Sequence, residues 1–288
     1  MSTFELVWDS GCGVGESPVW DAAHRRVLFA DIPGKRVLAY GVDDGTRSGW
    51  DLPDVVASFG LARSGRLVVA LRDRVVLFDP VSGGLTELTG TMALPATNRL
   101  NDGKVGPDGA FWVGGIDLGS PRQPTASLYR VTPDGRVETR AAGYAGSNGL
   151  AWSPDGRTMY HSDSTASFIE AWDFDPATGD MRAHRVVVKV SAEVGRPDGA
   201  AVDADGNYWS AAPSVGHVNC FSPAGTLLRT VDFPVTGPTM PCFAAGGLFV
   251  TSLREGKPAE VLAAQPTLGG LFRMAAPVAG APVGVFAD

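Results

Sequence analysis

No stretch of the chain approaches the roughly 18 uninterrupted apolar residues of a membrane span. Its start, Met1-Ser2-Thr3-Phe4-Glu5-Leu6-Val7, has no basic segment running into a long apolar one. The expectation is a cytoplasmic protein with no membrane partner. Cysteine is scarce: Cys12, Cys220 and Cys242 are odd in number and lack the paired spacing of a zinc or redox motif, so they are read as reduced bystanders without a disulfide framework. There is no cluster of Lys and Arg, and the net charge is −7, which excludes the electrostatic footprint needed on a nucleic-acid backbone. Small-molecule partners are favoured. No Gly-x-Ser-x-Gly elbow is present, and His24, His161, His184 and His217 are scattered singly, so a serine-hydrolase triad is not indicated. His24 and His184 read as surface residues, and His161 and His217 as packed or hydrogen-bonded ones. Gly11-Cys12-Gly13-Val14-Gly15 misses the dinucleotide fingerprint and no helix follows it, which argues against a nucleotide cofactor. No amphipathic helix of any length is visible.

What the chain has in quantity is turn residues and short strands. Its 37 glycines and 21 prolines are spread evenly rather than massed in one tract, as in a many-stranded fold rather than a linker. Six times a short apolar strand runs into a turn and a second strand, as in Asn148-Gly149-Leu150-Ala151-Trp152-Ser153-Pro154-Asp155-Gly156. The repeats are led by Glu16, Phe59, Asn101, Asn148, Asp198 and Thr239, at spacings of 43, 42, 47, 50 and 41 residues. That is close to the period of a four-stranded propeller blade. The reading is an all-β, six-bladed β-propeller occupying residues 1–288 as a single domain. Second strands such as Arg26-Val27-Leu28-Phe29-Ala30-Asp31 and third strands such as Val37-Leu38-Ala39-Tyr40 are β-branched or aromatic runs. Because an open sheet edge is an aggregation hazard, Phe4-Glu5-Leu6-Val7-Trp8, which has no partner nearby, is placed as the outermost strand of the last blade.

Equivalent positions of successive blades form a ring about the central axis. Four of the six leaders carry side-chain oxygens: Glu16 and Asp198 as carboxylates, Asn101 and Asn148 as amides. Such an all-oxygen set suits one hard divalent ion, calcium first, then magnesium or manganese; zinc or iron fits it less well. Singly, Asn or Asp before glycine is an ordinary turn former; the shared blade position joins these residues into one candidate site.

At these motifs the chain resembles the regucalcin/gluconolactonase family, also called the senescence-marker-protein family. The resemblance rests on Gly15-Glu16-Ser17-Pro18-Val19-Trp20, Asn98-Arg99-Leu100-Asn101-Asp102-Gly103-Lys104-Val105, Ser147-Asn148-Gly149-Leu150-Ala151-Trp152, Pro197-Asp198-Gly199 and Pro241-Cys242-Phe243. It implies a six-bladed propeller with one divalent ion in its central cavity and, in many members, hydrolysis of sugar lactones. By motif match Glu16, Asn148 and Asp198 are implied as metal ligands, and Arg99 and Asn101 as substrate-holding residues, with Asn101 also counted in the metal shell. Arg99 has the alternative reading of an inter-blade ion pair. Where many members have Gly-Thr-Met and an acidic substrate contact, this chain reads Gly114-Gly115-Ile116-Asp117-Leu118-Gly119. Asp117 is either a replacement for that contact or a solvated loop aspartate. In blade five an aromatic followed by Gly-Gly-Arg is replaced by Ala212-Pro213-Ser214-Val215-Gly216-His217.

The expected chemistry is opening of an aldonolactone to its sugar acid. The ion polarises the ring carbonyl, and Asp198 acts as general base on the attacking water. Two other readings stand beside it: a phosphotriester or aryl-ester hydrolase on the same metal, and a non-catalytic calcium-binding regulatory protein. A monomer or weak homo-oligomer is expected.

Overall fold

The computed structural model describes residues 3–288. Six four-stranded antiparallel sheets follow one another along the chain; in five of them each strand pairs with the next as a meander, and the sixth draws its outermost strand from the N-terminal end. Their first strands, Gly15–Asp21, Ser58–Leu61, Asn98–Val105, Ser147–Trp152, Ala200–Val202 and Pro238–Ala244, are almost wholly buried. The fourth strands are polar and face solvent, as in Arg47–Asp51, Met181–Lys189 and Leu227–Asp232. This inside-to-outside gradient is the six-bladed propeller, with the first strand of each blade at the axis. The core lies between blades: one apolar cluster joins Val19 and Leu28 of blade one to Phe59 and Val69 of blade two, and another joins Trp112 of blade three to Trp152 and Phe174 of blade four.

The last blade closes the ring with both ends of the chain. Its sheet has the order Glu5–Trp8, Leu271–Ala275, Gly247–Ser252, Pro238–Ala244, and Leu6 lies opposite Phe272. Phe4 adds an edge-on aromatic contact with Phe233, ring centroids 5.0 Å apart. The N-terminal segment is thus the outermost strand of the last blade, as the sequence reading placed it.

Two features were not expected. One helix occurs among the described residues, Ala259–Ala264, after Pro258. Its six residues span less than two turns and none is buried, so no 3.6-residue apolar period exists to betray it. The second feature is the final segment, residues 276–288, which crosses the far end of the channel. It forms bridges from Gly280 to Asp203 and from Phe286 to Ala62, and it is pinned at its end by hydrogen bonds from Ser64 and Arg66 to Asp288. Phe286 is fully buried in the cluster shared by blades two and three.

Candidate active site

The first strands are not regular where the site begins. In blade one the ladder to the second strand breaks between Glu16 and Val19, in blade three between Leu100 and Gly103, in blade four between Asn148 and Ala151. An interruption of this kind bends a strand and re-aims its side chains. Local sequence explains it. Ser17 takes a left-handed φ of 49° and the next residue, Pro18, has no N–H to give the ladder. Gly149 has a φ of 66°, and a Cβ there would run into the Tyr208 hydroxyl. Blade two is the contrast: Ser58–Leu61 pairs without a break, and Phe59 packs between the sheets. Its repeat position therefore serves the core and not the axis. Thr239, the leader in blade six, hydrogen-bonds to the Gly15 carbonyl and to Thr251.

The interrupted strands deliver Glu16, Arg99, Asn101, Asp102 and Asn148 to one cavity of about 560 Å³, and the segment before Ala200–Val202 adds Arg196 and Asp198. The oxygens there are poorly satisfied by protein. Glu16 accepts one hydrogen bond, from the Ser17 N–H at 2.8 Å. Asn148 donates its amide nitrogen to Ser164 Oγ at 2.7 Å, which turns its oxygen away from that partner. Asp102 accepts the Leu150 N–H through Oδ2 at 3.1 Å, while its buried Oδ1 has no hydrogen-bond partner.

Electrostatics point the same way. Burial, then the nearby Asp198 and Asp102 charges, push the Glu16 carboxyl well above the usual carboxylate range. Burial and the Asp102 charge raise Asp198 to about 7, against the lowering pull of Arg122 and Arg196. Asp102 is raised by burial, with Lys104 as the main opposing charge. Lys104 is itself buried and donates to the Ala200 carbonyl at 2.7 Å. Among the described residues no three carboxylate, histidine or cysteine side chains stand close enough to hold a metal ion by themselves. An ion here would therefore need the Asn148 amide oxygen or water beside Glu16 and Asp198, and the orphaned buried Asp102 oxygen is the group most in want of a partner. Glu16, Asn148 and Asp198 line one cavity together with Asp102, and their all-oxygen chemistry is of the kind a hard divalent ion takes.

Arg99 lies beside this set. One of its guanidinium nitrogens donates to the Leu100 carbonyl at 2.7 Å and to the Asn101 amide oxygen at 2.8 Å, and Asn101 donates to the Ser147 carbonyl at 3.0 Å. Arg99 makes no ion pair among the described residues, which removes the inter-blade ion-pair alternative. Burial and the neighbouring Arg122 and Arg72 draw its pKa down to about 10, which leaves it charged at neutral pH. The bond from Arg99 occupies the oxygen through which Asn101 was expected to help hold an ion. Asn101 is thereby oriented mainly as a partner of Arg99.

Asp117 is not on the cavity wall. It is buried, and its carboxylate accepts the N–H groups of Gly119 at 3.1 Å and Gln123 at 2.6 Å. Hydrogen bonds from Thr97 and these backbone groups hold its carboxyl below the ordinary value. Its work is to brace the loop that presents Gly119, Ser120 and Arg122 to the cavity.

Sequence reasoning missed Asp102, Arg122 and Arg196 as residues of the site. Arg196 stands two residues before Asp198 as Arg99 stands two before Asn101, a signal that was legible. It also missed a buried chain behind blade four. Ser147 Oγ meets His161 Nε2 at 2.6 Å, His161 Nδ1 meets Glu170 at 2.9 Å, and Tyr144 and His184 reach the same carboxylate at 2.7 Å each. The order Ser-His-Glu resembles a nucleophile triad. Ser147 and His161 are each 0 % exposed, and a Cβ at Gly114 would overlap the Ser147 hydroxyl, so no substrate reaches that oxygen. The chain instead fixes the strand that carries Asn148 and the carbonyl that holds Asn101.

Residues 14–254 match the family model described as the SMP-30/gluconolactonase/LRE-like region. A 6-deoxy-6-sulfogluconolactonase from Pseudomonas putida is 37 % identical over 281 residues, 95 % of each chain. A regucalcin from Danio rerio is 34 % identical over 266 residues, 91 % of this chain and 90 % of that one. Among solved structures, a gluconolactonase from Xanthomonas campestris superposes with a TM-score of 0.77 at 27 % identity, covering 96 % of this chain and 90 % of the other.

Proposed function

Because the chain belongs to the SMP-30/gluconolactonase/LRE-like family, we propose that it is a sugar lactonase, opening an aldonolactone to the sugar acid in a reaction that depends on one divalent ion at the axial carboxylates. The observation that carries this reading is the convergence of Glu16, Asp102, Asn148 and Asp198 from four blades into one cavity, where the buried Asp102 Oδ1 has no hydrogen-bond partner. The names of the Pseudomonas and Xanthomonas relatives support the lactone as substrate class, and that of the Danio relative is in keeping with calcium as the ion.

A divalent ion bound there supplies Lewis-acid polarisation of the ring carbonyl and a lowered pKa for water. Glu16, Asn148 and Asp198 would hold it, with calcium preferred for an all-oxygen set. Asp198 is the general base: it lines the cavity with Glu16 and Asn148, and water attack on the carbonyl requires a carboxylate to accept the proton. Arg99 and Asn101 hold the lactone oxygens, Arg99 through guanidinium N–H groups still free to donate and Asn101 through its place in the same hydrogen-bond chain. Water adds to the carbonyl carbon, the ring C–O bond breaks, and the product acid releases one proton at neutral pH. No helix among the described residues is long and apolar enough to cross a membrane.

The test is a panel of pentono-, hexono- and deoxyhexonolactones offered to metal-stripped and reloaded protein in a pH-indicator assay, corrected for spontaneous hydrolysis. Metal-dependent proton release on at least one lactone is expected. Absence of it across the panel, with turnover of aryl esters or phosphotriesters instead, would replace the proposal.

A further inference from the structure

The cavity has a wall that lactone opening does not use. Arg122, on the loop after Phe111–Asp117, and Arg196, on the approach to Ala200–Val202, line the same space as Glu16, Asn148 and Asp198. Both are exposed, and neither has a carboxylate partner or a side-chain hydrogen bond among the described residues. Many arginines elsewhere are paired: Arg36 with Asp31, Arg130 with Asp108, Arg185 with Asp173. Their backbones are nonetheless held in place. Asp117 bridges the N–H groups of Gly119 and Gln123 on either side of Arg122, and the Arg196 N–H donates to Ser214 Oγ at 2.9 Å before Pro197.

Charge sharpens the point. In a protein of net charge −7, three guanidinium groups, Arg99, Arg122 and Arg196, are gathered on one cavity. Glu16 and Asp198 offset part of the repulsion among them, but among the described residues no carboxylate lies within ion-pair distance of Arg122 or Arg196, and Arg122 is the leading charge that depresses Arg99. A neutral sugar lactone offers polar oxygens to Arg99 but no counter-charge to the other two. A sulfonate, phosphate or carboxylate offers oxygens in the geometry that a guanidinium fork accepts. The cavity, at about 560 Å³, falls in the range of small-molecule sites.

We propose that Arg122 and Arg196 form a subsite for an anionic group at the end of the sugar remote from the lactone carbonyl, so that the preferred substrate is an anionic sugar lactone. The assignment rests on the lactonase reading for its substrate class. The shared chemistry is a terminal oxyanion, and hexonolactones carrying sulfonate, phosphate or carboxylate at carbon six are the arms that separate its forms.

The experiment compares kcat/KM for each of these with the neutral hexonolactone, in wild type, Arg122→Ala, Arg196→Ala and the double variant. We expect wild type to favour at least one anionic lactone by about tenfold or more, mainly through KM, as one charge-assisted contact allows. The preference should shrink with added salt and collapse to about twofold or less in the double variant. Equal use of neutral and anionic lactones by wild type, or an undiminished preference in the double variant, overturns the subsite. Binding of the corresponding open-chain acids to metal-loaded protein, by calorimetry, is independent of turnover. If no lactone is hydrolysed, tighter binding of the doubly anionic acid in wild type only still supports the subsite while the lactonase reading falls, and equal binding overturns the subsite as well.

Discussion

Asp198 is a residue whose cost and use are separable. With its pKa raised to about 7 by burial and by Asp102, it binds a proton more readily folded than unfolded, where a carboxyl titrates near about 3.9. The folded pKa is the higher one, so the associated stability is present at low pH and is lost as pH rises from about 4 through about 7. In metal-free protein, Asp198→Asn should therefore be nearly neutral at pH 4 and should raise Tm relative to wild type at pH 8. With a divalent ion bound the order should invert, because the variant has lost a ligand. Thermal melts at both pH values, with chelator and with ion, read this directly; an Asn variant less stable than wild type at pH 8 without metal would contradict it. Arg99 gives a different signature. Since it bonds to Leu100 and Asn101 rather than to the carboxylates, Arg99→Ala should leave ion affinity nearly intact. It should lower kcat/KM by roughly ten- to thousandfold, about 1.4 to 4 kcal/mol of transition-state stabilisation. Proportional losses of ion binding and stability would mark Arg99 as structural.

At the scale of the element, the blade-four strands Ser147–Trp152, Thr158–Asp163 and Phe168–Phe174 are tied by the Glu170 carboxylate. Burial alone would raise its pKa, but hydrogen bonds from His161, Tyr144 and His184 outweigh this and hold it low. Removing it strands two buried partners. Glu170→Ala should cost about 2–4 kcal/mol in denaturant unfolding, and a loss below about 0.5 kcal/mol would show that the chain behind Ser147 is incidental. The repeat was legible because its leaders recur at blade spacing and its strands are β-branched runs, which fixed all six blades and placed Glu16, Asn101, Asn148 and Asp198 at one end of the axis. Illegible were the features that depend on what lies across from a residue. Phe59 shares the repeat position but lacks the interruption that turns its neighbours inward. Ser147, His161 and Glu170 are unremarkable singly and meet only because three strands lie in register. Asp117 read as a possible substrate contact because its place in the motif was known while the loop it braces was not.

The whole molecule is a ring whose two ends are handled differently. The axial strands run from the carboxylates at the open mouth to Lys104, Trp152 and Cys242 at the far end, where residues 281–284 of the C-terminal segment line a small cavity of about 170 Å³. Closure of the ring rests on the pairing of Glu5–Trp8 with Leu271–Ala275. Deleting residues 1–8 should leave that strand as an open edge, lower Tm and promote association seen by size-exclusion chromatography; an unchanged, monodisperse protein would refute closure as a source of stability. The claim on which the rest turns is that the axial oxygens hold a divalent ion, and it is tested most directly by calorimetric titration of calcium into stripped wild type, Glu16→Gln and Asp198→Asn, with surface Asp43→Asn as control. One site per chain is predicted in wild type, weakened by about tenfold or more in both axial variants and unchanged in the control. Equal affinity in all four proteins, or no binding of calcium, magnesium or manganese to wild type, would contradict it.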